Sequence, residues 1–254
     1  MLRVTGIGKT YGGVMALKDL TFTAGPGQVV GLLGPNGSGK STTISILTGL
    51  VTATRGHVAW NGADIRSNLT DYQSRLGYVP EEPRMYGYMS APEYLTLVGG
   101  LRDIALPILQ RRIDRYLELF GLDTDRYAPL SSFSKGMRQK VLISAALLHD
   151  PDVVIFDEPC SGLDVASTLI LRSIVRTLAE QGKVVVYSSH VLDMVEKICS
   201  DVLILYGGQV VAQDSVARLR ELAHMAPLEE VFSALAVDQD VDQIGSQIAS
   251  VART

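Results

Sequence analysis

Cysteine is almost missing from this chain: Cys160 and Cys199 are the whole complement, far apart and without metal-ligand spacing. That excludes a disulfide scaffold or a cysteine zinc site, and the expectation is free thiols in a cytosolic chain. Long apolar runs are missing too. None approaches the roughly 18–20 residues that span a bilayer, so any membrane role is expected to run through a separate chain. The start, Met1-Leu2-Arg3-Val4-Thr5, has no signal-peptide core. There is no basic excess; the net charge of -4 speaks against a dedicated nucleic-acid binder, and no nucleic-acid partner is expected. The sequence also shows no internal repeat and no low-complexity segment. What is there is 254 residues, 46% hydrophobic and 20% charged, enough for one large core with or without an inserted subdomain.

The most informative stretch is Gly34-Pro35-Asn36-Gly37-Ser38-Gly39-Lys40-Ser41-Thr42. It fits the G-x-x-x-x-G-K-[ST] phosphate loop between an apolar strand-like run, 28–33, and a helix-like run, 41–50. Glycines let successive backbone N–H groups turn toward phosphate oxygens with no Cβ in the way. Lys40 adds a point charge for the outer phosphates, and Ser41 offers a hydroxyl to Mg²⁺. The following helix points its positive end at the same anion. By composition alone the pattern arises in a chain of this length about once in a hundred sequences. Gly8-Lys9-Thr10 shows the contrast: Arg3 stands where the first glycine is needed.

Along the chain, residues 1–30 alternate apolar and polar, with Gly25-Pro26-Gly27 as a turn, and predict a small β-rich portion. Val58-Ala59-Trp60 followed by Asn61-Gly62 reads as a strand and tight turn. Leu76-Gly77-Tyr78-Val79 is a short run stopped by Pro80. Helical spacing covers 91–119, through Tyr94, Leu95, Val98 and Leu101 and later Ile113, Tyr116, Leu117 and Phe120. A second helical pattern covers 135–149. Asp152-Val153-Val154-Ile155-Phe156 reads as a buried strand. A helix over 165–181 is capped by Asp164 and ended by Gly182. Strands follow at 183–187 and 202–206. Alternating strands and helices predict an α/β fold with a mostly parallel sheet. The helical stretch of roughly 82–149 reads as an insertion, and Leu228, Val231, Phe232 and Leu235 share one face of a last helix.

Five motifs in order now resemble the ATP-binding subunits of ABC transporters, over nearly the whole chain. Beyond the phosphate loop, Ser134-Lys135-Gly136-Met137 resembles the signature loop in a variant common among bacterial export-type ATPases. Val153 to Pro159 resembles Walker B with its following acid, Ser161-Gly162-Leu163-Asp164 the D-loop, and His190 the switch histidine. The resemblance implies a P-loop NTPase core with an N-terminal antiparallel β subdomain and an inserted helical subdomain, at 1–225, with a C-terminal helix and tail at 226–254. It implies ATP and Mg²⁺ as ligands, with Ser41, Asp157 and Glu81 near the metal.

Asp157 ends a strand, where open α/β sheets place ligands, and supplies the hard oxygen Mg²⁺ prefers. Glu158, one residue on, is free to face the attacking water as general base, with Lys40 and His190 completing the catalytic set. Ser134 is in any case a good helix N-cap, and Lys135 adds charge where the commoner motif has glycine. The resemblance implies that Ser134, Lys135, Gly136 and Met137 act in trans, across a dimer of identical or related subunits with Asp164 near the seam. Tyr11 matches the aromatic that stacks on adenine.

One departure stands out: Glu81, in Tyr78-Val79-Pro80-Glu81-Glu82-Pro83, occupies a place usually held by glutamine. It adds negative charge beside the triphosphate, whereas Glu82 reads as a surface acid. His57, His149 and His224 lack motif context and read as structural. The expected function is an ATP-hydrolysing subunit, peripheral on the cytoplasmic side of the membrane. It would drive a separate transmembrane permease, in the export direction, touching it through Arg84 to Met89. The alternative is a soluble ABC ATPase of cofactor assembly.

Overall fold

Period-two burial sets the first two strands, because alternate side chains of a strand share a face. The computed structural model, which describes residues 1–222, buries Leu2, Val4 and Ile7 on β1 (Leu2–Tyr11) and Leu17, Leu20, Phe22 and Ala24 on β2 (Val14–Ala24). The two pair antiparallel from Leu2↔Ala24 to Tyr11↔Val14. β3 (Val29–Leu33) is buried at every position, as a strand covered on both faces must be. Then come α1 (Lys40–Leu47), β4 (Arg55–Trp60) and β5 (Ala63–Asp64). The expected turn joins the last two: Asn61 and Gly62 both have positive φ, which suits a two-residue hairpin. After α2 (Leu69–Ser74) and β6 (Leu76–Val79), the chain is helical through α3 (Ala91–Gly100), α4 (Leu106–Leu119), a 3₁₀ turn at Leu130–Ser132 and α5 (Lys135–Leu147). β7 (Val153–Asp157), α6 (Val165–Glu180), β8 (Val184–Ser189), α7 (Leu192–Ile198), β9 (Asp201–Tyr206), β10 (Gln209–Ser215) and α8 (Val216–Leu222) complete it.

The strands run in the order β5-β4-β1-β2-β10-β9-β3-β8-β7-β6. From β9 to β6 every pairing is parallel, while β5, β4, β1 and β2 pair antiparallel. β10 joins the halves, antiparallel to β9 and touching β2 at Gln209↔Asp19. The parallel strands divide the core. Leu33, Val154, Phe156, Val185 and Tyr187 face the layer of α3 to α6, whereas Val30, Leu32, Val153, Ile155, Val184 and Val186 face α1 and the antiparallel strands. Residues buried on successive sides of one strand thus belong to two cores.

Two helical expectations are revised. The continuous spacing over 91–119 is two helices: the chain breaks at 101–105, with Asp103 at φ 53° and Pro107 in the first turn of α4. Gly99 is what lets them meet, since a Cβ there would lie 2.3 Å from Leu109 Cδ1. α1 stops at Leu47, not at 50, because Gly49 turns left-handed (φ 75°) just after the Thr48 cap. The helix expected around Leu228 to Leu235, with His224 and the tail, lies outside the described residues.

His149 has the structural role expected of it. Its Nε2 lies 3.1 Å from the Leu76 carbonyl, and burial, aided by the nearby Arg102 charge, lowers its pKa to about 4. The unfolded chain titrates near 6.5, so between those values it binds the extra proton and the fold does not. Stability therefore falls as pH drops from 6.5 toward 4 and takes no further His149 contribution below that. Urea midpoints at pH 7 and pH 5 are expected to fall further for the wild type than for His149→Gln; parallel losses would remove His149 from this role.

Candidate nucleotide site

Three neighbouring parallel strands end level with one another. Register pairs Leu33 with Ser189 and Asp157 with Ser188, so the loop after β3, the acids after β7 and the residues after β8 share one edge. In open α/β sheets ligands bind at this carboxyl edge. The loop Gly34 to Thr42 leaves β3 and enters α1 through Gly39, an N-cap in the left-handed region at φ 106°. Gly34 is needed for close approach: a Cβ would stand 2.4 Å from the Leu205 carbonyl and 2.5 Å from Ser38 Oγ.

Lys40 is almost fully buried, and its ammonium donates to the carbonyls of Gly34 (2.6 Å) and Pro35 (3.2 Å), folding back over the loop. Burial lowers its pKa, against the opposing pull of Glu158, Asp157 and Glu81. Three of the expected acids therefore gather around one ammonium. A backbone cradle that no side chain can fill, a helix N-terminus, a buried lysine and the partnerless buried hydroxyl of Ser38 fit a triphosphate.

Asp157 is buried, and burial raises its carboxyl pKa, reinforced by Glu81 and Glu158 and opposed by the Ser188 hydrogen bond and Lys40. Ser188 Oγ donates to Asp157 Oδ1 at 2.6 Å and accepts from the Glu158 N–H at 3.2 Å. Glu158 itself has φ 44°, rare for a side-chain-bearing residue and worth about 1–3 kcal/mol of strain. That backbone turn separates the two acids. Asp157 stays with the buried serine, while Glu158 Oε2 reaches His190 Nδ1 at 2.9 Å. For Mg²⁺, Ser41 and Asp157 offer the hard oxygens the ion takes. Among the described residues no three acidic, histidine or cysteine side chains would hold a metal by themselves. An ion held partly by substrate phosphates fits that donor set.

The remaining expected residues form a second group. Ser134 caps α5, its Oγ accepting from the Met137 N–H at 3.1 Å. Asp164 caps α6, its Oδ1 accepting from the Ser167 N–H at 2.7 Å, and that bond holds its carboxyl below the usual range. Lys135 and Gly136 pack on Ser161 and Gly162. Among the described residues no hydrogen bond or ion pair joins this group to the phosphate loop. Tyr11 is half exposed at the end of β1, with Lys9 Nζ 4.9 Å from its ring centre. Glu82 pairs with Arg84 in solvent, the surface role expected of it.

The sequence did not mark Ser188 as a site residue. Its signal was a hydroxyl at a fully buried strand end, two residues before His190.

Fold and site together define a phosphate-loop, nucleotide-binding α/β protein. The family model described as ABC transporter matches residues 17–161. The chain is 33% identical over 220 residues to the ABC transporter ATP-binding protein NatA of Bacillus subtilis (strain 168), covering 86% of this chain and 89% of that one. It is 35% identical over 212 residues to the linearmycin resistance ATP-binding protein LnrL of the same organism, covering 84% and 68%. A solved structure of an ATP binding subunit of an ABC transporter superposes with TM-score 0.86 at 32% identity, covering 92% of this chain and 99% of that one. The chain belongs to the ABC transporter family, as an ATP-binding ATPase subunit. No described helix is long and apolar enough to cross a membrane.

Ser188→Ala leaves Asp157 without its hydroxyl partner and the Glu158 N–H with only the Ser188 carbonyl, at 3.3 Å. The expected result is an ATP turnover rate on the order of ten-fold lower, measured at saturating Mg-ATP with the melting temperature as a control for folding. An unchanged rate would make Ser188 a packing residue only.

Proposed function

We infer that this protein binds and hydrolyses ATP, and that the cycle drives a separate transmembrane permease. The Glu158–His190 contact beside Asp157 and Lys40 carries the reading. Glu158 accepts the proton of the attacking water, while His190 holds the carboxylate in its rotamer. Glu158 is 11% exposed, so little bulk water competes for it. Lys40 and the N–H groups of the loop offset charge on the transferred phosphoryl group; such transfer depends mainly on positioning and electrostatics. Ser41 and Asp157 would hold Mg²⁺, which would supply positive charge against the phosphates. Tyr11, exposed at the end of β1, suits a stacking surface for the base.

Ser134, Gly136 and Met137 crown a helix N-terminus that, among the described residues, has no bond to its own phosphate loop, which supports its use on a second subunit's nucleotide, with Asp164 beside the seam. ATP then closes the pair and hydrolysis opens it. Tyr86 and Tyr88, 54% and 78% exposed and 6.0 Å apart, follow Glu81 and offer the permease a docking surface. The signature variant, together with a relative named for linearmycin resistance, favours export.

Glu158→Gln is expected to lower turnover by about 10²-fold or more while ATP binding persists. Rapid-quench hydrolysis and equilibrium binding measure the two; wild-type turnover would take the general base away from Glu158. Mixing a Ser134→Arg chain, blocked at the signature, with a Lys40→Ala chain, blocked at the loop, leaves one site per mixed dimer with both parts intact. Activity above that of either variant alone is expected, and none at all would argue against shared sites.

A further inference from the structure

The ammonium of Lys135 is not turned out toward a partner. It donates to Ser161 Oγ of its own chain at 2.5 Å. Its methylene stem lies over Gly162, where a Cβ would stand 2.9 Å from Lys135 Cγ and Cδ, and Gly162 has φ 83°. Gly136 closes the same contact from the other side: a Cβ there would lie 2.6 Å from the Gly162 carbonyl. Helix α5 and the loop before α6 are thus interlocked, with glycine on both faces and lysine as the strap.

The strap leads back to the reacting edge. The Ser161 N–H donates to the Glu158 carbonyl at 3.1 Å, and the Leu163 N–H to the Cys160 carbonyl at 3.1 Å, so residues 158–163 form two consecutive turns. Glu158 begins the first of them in a strained backbone conformation that must be held from outside. What holds it on one side is Ser188. On the other side it is this turn, which is held by the Cys160 Sγ contact with the Tyr187 hydroxyl (3.3 Å) and by the bond from Lys135 to Ser161.

We propose that Lys135 is a positioning residue acting in cis: through Ser161 it braces the turn that aims Glu158, and so ties the signature loop of a subunit to the general base of that same subunit. This rests on the ATPase reading above. It differs from the expectation that Lys135 serves as an anion ligand across a dimer. A subunit whose α5 N-terminus is seated on a partner's nucleotide would then also have its own Glu158 set, which links the two sites through one side chain.

Four full-length variants test this by steady-state hydrolysis of Mg-ATP, with melting temperatures as a control for folding. Lys135→Met keeps the stem over Gly162 and removes the ammonium; Ser161→Ala removes the acceptor. Each is expected to lower kcat about three- to ten-fold, the effect of one charge-assisted hydrogen bond, with KM for ATP unchanged. The double variant is expected to be no worse than either single one, and Lys135→Arg to recover most of the rate. A double variant that loses the product of the two single effects would overturn the proposal. So would a Lys135→Met chain whose KM rises while kcat holds, which marks a ligand of ATP. If the wild type shows no turnover, the ATPase reading falls and this inference falls with it.

Discussion

Asp157 and Glu158 are neighbours in the chain that must face different groups, and the Ser188 hydroxyl is what parts them. One hydroxyl gives its proton to the Asp157 carboxylate and takes the Glu158 N–H on its lone pair. The first bond keeps Asp157 turned into the sheet. The second fixes the peptide that starts the left-handed step at Glu158. The arrangement is possible only because β7 and β8 are parallel and in register at their ends.

Charge is the second constraint. Lys40 feels Glu158, Asp157 and Glu81 together, and Asp157 feels Glu81 and Glu158 in return. Burial lowers the Lys40 pKa and raises that of Asp157, so both charged forms are disfavoured by the same dry environment. Among the described residues the two form no ion pair with each other: Asp157 is held by Ser188 and the lysine by backbone. The loop adds its own carbonyls to the lysine, and a triphosphate arriving there meets an ammonium already positioned.

What was legible in the sequence was local. A glycine pattern, a run of buried aliphatics ending in two acids and a capping aspartate each declare themselves within ten residues, and β3, α1, β7 and α6 lie where those signals put them. What was not legible depended on distance or on chain reversal. Ser188 meets Asp157 and Lys135 meets Ser161 across 31 and 26 residues, through strand register and helix packing that composition does not encode. The break between α3 and α4 hid because apolar spacing carries on across it, and only Gly99-Gly100 and Pro107 marked the site. β10 alternates half-buried and exposed positions in a short polar stretch, which gave no periodicity strong enough to read.

Glu81 is the third acid whose charge reaches Lys40. A glutamine there would leave two carboxylates against Lys40, whereas this chain has three. The extra charge disfavours a second anion entering the site and favours a cation. Burial raises the Tyr78 hydroxyl pKa, with smaller contributions from Asp157 and then Glu81, so the field of Glu81 reaches the end of β6. That strand end leads directly into the aromatic segment around Tyr86 and Tyr88. The acid therefore lies in the chain between the end of β6 at the nucleotide site and the exposed pair of tyrosines.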